Sequence, residues 1–240
     1  MLTKTITKMN KIPSMKNQQS GFTLVEIAIV LVIIGLLLGG ILKGQELINS
    51  AKVKNLAQDF KTVPLYIYGY QDRFKALPGD DKNAVTNLAT TPANAAVVNG
   101  SGDGVINGAW NSITATAADE SVLFWLAVRM ANFAPGSTDF SAGSLVASLP
   151  KNVDGGRIGI TSNTTTGAPV ANMTGTYAFC SGSLLGKYAK QLDTTLDDGN
   201  TATGSVRVID NPAIPQTAPA TAKANGTVDD AATYTVCMTF

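Results

Sequence analysis

"SGFTLVEIAIVLVIIGLLLGGIL", Ser20 to Leu42, decides the architecture of this chain: a bilayer-length apolar run with one acid, Glu26, near its start. As a helix rising about 1.5 Å per residue, Phe22 to Leu42 covers roughly 31 Å, the thickness of a hydrocarbon core. A charge inside hydrocarbon is expensive, so Glu26 needs a reason to be there. The only basic residues before Lys43 are Lys4, Lys8, Lys11 and Lys16, and no acid accompanies them. The positive-inside rule therefore puts residues 1–20 in the cytoplasm and everything after Lys43 across the membrane. A cleaved secretory signal would have a shorter apolar core, about 7–15 residues, with a small-x-small site behind it. Here the run is longer and no such site follows. A plain anchor explains the length but gives Glu26 no purpose.

The rest of the chain narrows the function classes. At 240 residues and 24.9 kDa it suits one domain plus an appendage. Charged residues make up 15 % and aromatics 7 %, and beyond residue 80 small residues dominate. The formal charge of +1 conceals a mildly acidic remainder once the lysines of residues 1–20 are set aside. No lysine or arginine cluster is present, which argues against nucleic-acid binding. There is no histidine, which excludes Ser–His and Cys–His nucleophilic pairs and histidine-ligated metals. No nucleophile elbow, Walker loop or dinucleotide fingerprint occurs, and Cys180 and Cys237 are too far apart for a redox or zinc motif. The chain is not expected to be an enzyme or to need a cofactor, calcium excepted.

"GFTLVE", Gly21 to Glu26, followed by an unbroken aliphatic helix, resembles the amino-terminal motif of type IV prepilins and the related type II secretion pseudopilins. The resemblance covers about 50 residues. It implies cleavage between Gly21 and Phe22 by a prepilin peptidase, which then N-methylates Phe22. Glu26 becomes the acid that neutralises a neighbour's amino terminus in a filament. A buried ion pair adds little net stability, but leaving one partner alone costs about 3–5 kcal/mol, so the pair would fix axial register. The implied partners are further copies of the chain, other pilins, the peptidase, an inner-membrane assembly platform and, before assembly, lipid. The implied location is the inner membrane, head outward, and then a periplasmic or cell-surface filament. "MKNQQSG" from Met15 would by itself be a leader of the common short kind, so the true start is either Met1 or Met15. The other function class is a membrane-anchored, non-polymerising module whose head binds a ligand.

The implied fold is α+β: a long amino-terminal helix packed on a small antiparallel sheet, with extra short helices. Residues 1–21 are the leader, 22–42 the membrane or filament-core helix, 43–76 its amphipathic continuation and 77–240 the head. Leu56, Phe60, Val63, Ile67, Tyr70 and Phe74 recur at helical spacing, and Pro64 should bend that helix without ending it. "LPGDD", Leu77 to Asp81, should end it. Gly35, Gly39 and Gly40 either allow close helix packing or weaken the helix locally. The proline often found about 20 residues into the mature helix is missing from Ile41 to Gly44. In the head, residues 82–118 read as polar loop and 119–133 as a capped amphipathic helix. Residues 157–161, 176–180, 205–210 and 233–240 read as strands, and 183–196 as a second helix.

Cys180 and Cys237 fall on two of these strands, in a compartment where disulfides form. Pairing would resemble the family's carboxyl-terminal disulfide loop; two buried free thiols are the alternative. Two loops have calcium-like chemistry. In "NGSGDGVI", Asn99, Ser101, Asp103 and the Val105 carbonyl alternate with glycine, but Trp110 stands where a bidentate acid belongs, so Asp80 or Asp81 would have to reach in. In "LDTTLDDGNTATG", Asp197, Asp198 and Asn200 follow a helix. Both also read as plain polar turns.

Overall fold

The computed structural model describes residues 21–88, 97–116, 119–141, 143–164 and 167–240. Of the leader, only Gly21 falls among them; residues 1–20 lie outside the described residues, as do 89–96 and 117–118 of the polar stretch.

Helix α1 runs from Leu24 to Phe74, 51 residues, with Pro64 inside it. It stops two residues short of the expected boundary, where Lys75 takes a left-handed backbone with φ 57°. From Phe22 to Leu42 every residue is exposed, including Leu24 at 91 %. Beside Gly35, Gly39, Gly40 and Gly44 there is open space, so no described residue of this chain uses them for close packing.

Residues Ile48–Phe240 form one compact unit, distinct from the segment ending at Leu47. Within that unit α1 buries a single stripe: Val53, Leu56, Ala57, Phe60, Val63, Ile67 and Tyr70. Steps of three and four residues keep these side chains on one face. That face meets a four-stranded antiparallel sheet of order β1-β2-β4-β3. The strands are β1 Ile158–Ser162, β2 Tyr177–Leu185, β3 Val206–Asp210 and β4 Thr233–Thr239. Alternation splits β2, β3 and β4 between two cores. Phe179, Val206, Val208 and Val236 join the α1 stripe, where Phe60 meets Phe179 edge to face at 4.8 Å. Cys180, Cys237 and Ile209 face the other way, under Trp110, Val170 and Met173 from covering loops. Those loops press close: a side chain at Gly159 would collide with the Trp110 carbonyl oxygen.

Three expectations need correction. The helix expected over 183–196 begins at Gly186, because β2 continues to Leu185 across an irregularity between Ser181 and Leu184. The helix expected over 119–133 is α3, Glu120–Met130, and it is not amphipathic: Glu120 to Arg129 are all buried. Glu120 is covered because its carboxylate accepts the Ser101 and Asn107 N–H groups. Arg129 is covered because its guanidinium donates to the carbonyls of Pro135, Ser137 and Ser148. Nor does Asp119 cap α3 with its side chain. Its carboxylate accepts hydroxyls of Ser112, Thr114 and Thr116 instead. Short helices α2, Ala84–Asn87, inside the stretch read as loop, and α4, Leu145–Ser148, complete the described elements together with α5, Gly186–Leu196, and a 3-10 turn at Asn225–Thr227.

Candidate functional site

Four places in the chain concentrate chemistry: the start of α1, the sheet centre, the glycine-rich loop after Asn99 and the carboxyl end of α5. At the first, Thr23 and Glu26 form a reciprocal pair. The Thr23 N–H and hydroxyl both donate to Glu26 Oε2 at 2.8 Å, while the Glu26 N–H donates to Thr23 Oγ1 at 3.2 Å. This is a capping box, which satisfies backbone donors that a helix start leaves open. The spacing T-x-x-E signals it in the sequence, yet Thr23 is absent from the site residues expected there. Phe22, one residue earlier, is 83 % exposed. Gly21, Phe22 and Glu26 thus sit together at an open helix start.

At the sheet centre Cys180 and Cys237 are bonded, with an S–S distance of 2.05 Å. They are register partners on β2 and β4, the two inner strands, and both are fully buried. Of the two alternatives in the sequence, the disulfide is the one present.

The glycine-rich loop after Asn99 is organised around a carboxylate. Asp80 does reach in, as that reading required, but its oxygens accept the N–H groups of Gly102, Asp103 and Gly104 and the Ser101 hydroxyl. Asp81 turns elsewhere, to the Tyr70 hydroxyl and Asn87. Of the expected ligands, Ser101 donates its hydroxyl to Asp80, and the others make local contacts. Asn99 Oδ1 accepts the Val85 N–H, and Asp103 Oδ1 accepts the Val105 N–H. The Asp103 carboxylate lies within 4.8 Å of those of Asp80 and Glu120. Backbone N–H groups point inward, whereas a calcium loop turns oxygens inward.

At the end of α5 the polarity is the opposite. Carboxylate oxygens of Asp193, Asp197 and Asp198 lie within 4.8 Å of one another. Asp193 is fully buried, and neither of its oxygens receives a well-formed hydrogen bond among the described residues, the Gly199 N–H making only a weak approach. Burial pushes its pKa up to about 7, with Asp198 and Asp197 adding to the rise and the nearby Gly199 N–H opposing it. The other two acids are held in place: Asp197 Oδ2 accepts the Val206 N–H at 2.9 Å, and Asp198 accepts the Asn200 N–H and Thr203 hydroxyl. Gly204, at φ +75°, brings its backbone so close to Asp197 that a Cβ would collide with the carboxylate. Of the residues expected in this loop, Asp197 and Asp198 come together, whereas Asn200 Oδ1 accepts the Ala202 N–H. Asp193 was missed because it lies inside the helix; its D-x-x-x-D spacing to Asp197, one turn apart, was the available signal.

Residues 16–42 match the family model described as the prokaryotic N-terminal methylation motif, so the chain carries the type IV prepilin-type leader signature. No curated protein and no solved structure matches the chain. The motif, joined to an apolar helix long enough to cross a membrane, fits a pilin- or pseudopilin-like precursor anchored in a membrane before assembly.

Proposed function

We propose that this chain is the precursor of a structural filament subunit of the type IV pilus class. A prepilin peptidase cuts it between Gly21 and Phe22 and methylates Phe22, and the product polymerises through α1. The observation that carries this proposal is the methylation motif lying on a helix start that nothing among the described residues covers. Each large apolar side chain left in water forgoes about 1.5–3 kcal/mol. Bilayer lipid first, and neighbouring helices later, are the media that relieve this.

Glu26 then acts twice. In the lone subunit Thr23 holds its carboxylate, and the helix start favours a negative charge. In the filament a neighbour's Phe22 amine competes for the same oxygens, and a subunit out of step leaves a bare charge in a dry core. The head works outside the cytoplasm, in keeping with its disulfide. Its role is scaffolding, with copies of itself, other pilins and an inner-membrane assembly platform as partners.

Mass spectrometry of the protein purified from its cells tests this. The expected subunit begins at methylated Phe22; a chain retaining its lysine-bearing leader overturns the proposal, and monomers of that kind would point to an anchored binding module instead. Glu26→Ala should be cut normally yet assemble poorly. Secretion-channel genes beside its own, in place of retraction-motor genes, would assign the filament to type II secretion.

A further inference from the structure

We propose that Asp193, Asp197 and Asp198 form a calcium site that clasps the carboxyl end of α5 to the turn leading into β3. It stands apart from the filament assignment and would hold for any role of the head. The observation behind it is the Asp193 side chain, fully buried, with no well-formed hydrogen bond to either oxygen among the described residues, and set against two further carboxylates. Buried charges are normally paired or ligate a metal. No lysine or arginine forms an ion pair with any of the three among the described residues.

The donor set chooses the ion. Three carboxylates with no sulfur or imidazole nearby suit a hard cation. Carboxylates gathered within 4.8 Å of one another, one of them sealed from water, suit Ca²⁺, which takes several protein oxygens in flexible geometry, better than Mg²⁺, which gives up its waters reluctantly. The hydrogen bonds from Val206, Asn200 and Thr203 fix Asp197 and Asp198, as outer contacts do for metal-ligating carboxylates. The disulfide marks a compartment outside the cytoplasm, where calcium modules work at dissociation constants of roughly 0.1–1 mM.

The test uses the full chain in detergent, stripped with a chelator and titrated calorimetrically with Ca²⁺ and then Mg²⁺. Ca²⁺ should bind once, at about 1 mM or tighter, and raise the melting temperature. Asp198→Asn, at an exposed position that should leave folding intact, should weaken binding at least about tenfold. Asp193→Asn should melt higher than the stripped parent, because an uncompensated buried acid is gone, and should lose its response to Ca²⁺. No binding up to about 10 mM, ten times weaker than extracellular modules, would overturn the site and leave a buried proton as the occupant. Binding unchanged in both variants would overturn it too, because the ion would then sit elsewhere.

Discussion

Replacing Cys180 and Cys237 together by alanine should lower the melting temperature of the head by about 8–16 °C. The two residues are 57 apart in sequence, and on the chain-entropy model a cross-link closing such a loop contributes about 4 kcal/mol through the unfolded state. A domain of this size loses about 2–4 °C per kcal/mol, which gives the range above. Alanine is the right replacement: both positions are fully buried, and a serine hydroxyl there would lack a partner. The native strand pairing should survive, because Phe179↔Met238 and Ser181↔Val236 hold the same register on either side of the bridge. The assay is calorimetric melting of the full chain in detergent, with dithiothreitol-treated parent as a second reduced sample. Both reduced forms should melt together, well below the oxidised chain. A fall under about 3 °C in both would refute the loop-closure reasoning, since that would correspond to little more than 1 kcal/mol.

Phe60→Ala should cost about 3–5 kcal/mol, read as a drop in the urea midpoint, because Phe60 is fully buried and stacks edge to face on Phe179. Asp59 is half-buried without an ion-pair partner among the described residues, and desolvation raises its pKa. A raised carboxylate pKa removes stability as pH climbs through the folded value and has no effect below the unfolded one. Asp59→Asn should therefore raise the melting temperature at about pH 7 and leave it unchanged near pH 3; the reverse order would contradict the burial argument. Thr23→Ala removes half of the capping box and should loosen the first turn of α1 by about 1 kcal/mol, seen as faster amide exchange at Val25 and Glu26. Assembly should persist in that variant, because Glu26 remains; loss as complete as in Glu26→Ala would transfer the registry role to Thr23.

Much of the fold is legible along the chain because its causes are local. The apolar length of Phe22–Leu42, the lysines before it and the three-four spacing from Leu56 to Tyr70 each follow from neighbours in sequence. Even so, α3 misled. Its acids at the start and its Arg129 imply a solvated face, but each charge is covered by another segment, Ser101 and Asn107 over Glu120 and the carbonyls of Pro135, Ser137 and Ser148 over Arg129. The glycine-rich loop was ambiguous for a related reason. Alternating oxygens and glycines serve a cation or a carboxylate equally well, and the choice lies with Asp80, twenty residues upstream.

By itself the sequence determined the membrane-length helix, its motif, its charged flank and the stripe that α1 turns to the sheet, since hydropathy and helical period act between residues at most a few turns apart. Only the tertiary structure decided that Cys180 faces Cys237 across β2 and β4 and that Asp193 is sealed against Asp197 and Asp198. Burial and pairing depend on what other segments bring to a point in space, and a polar side chain in sequence carries no mark of whether water will reach it.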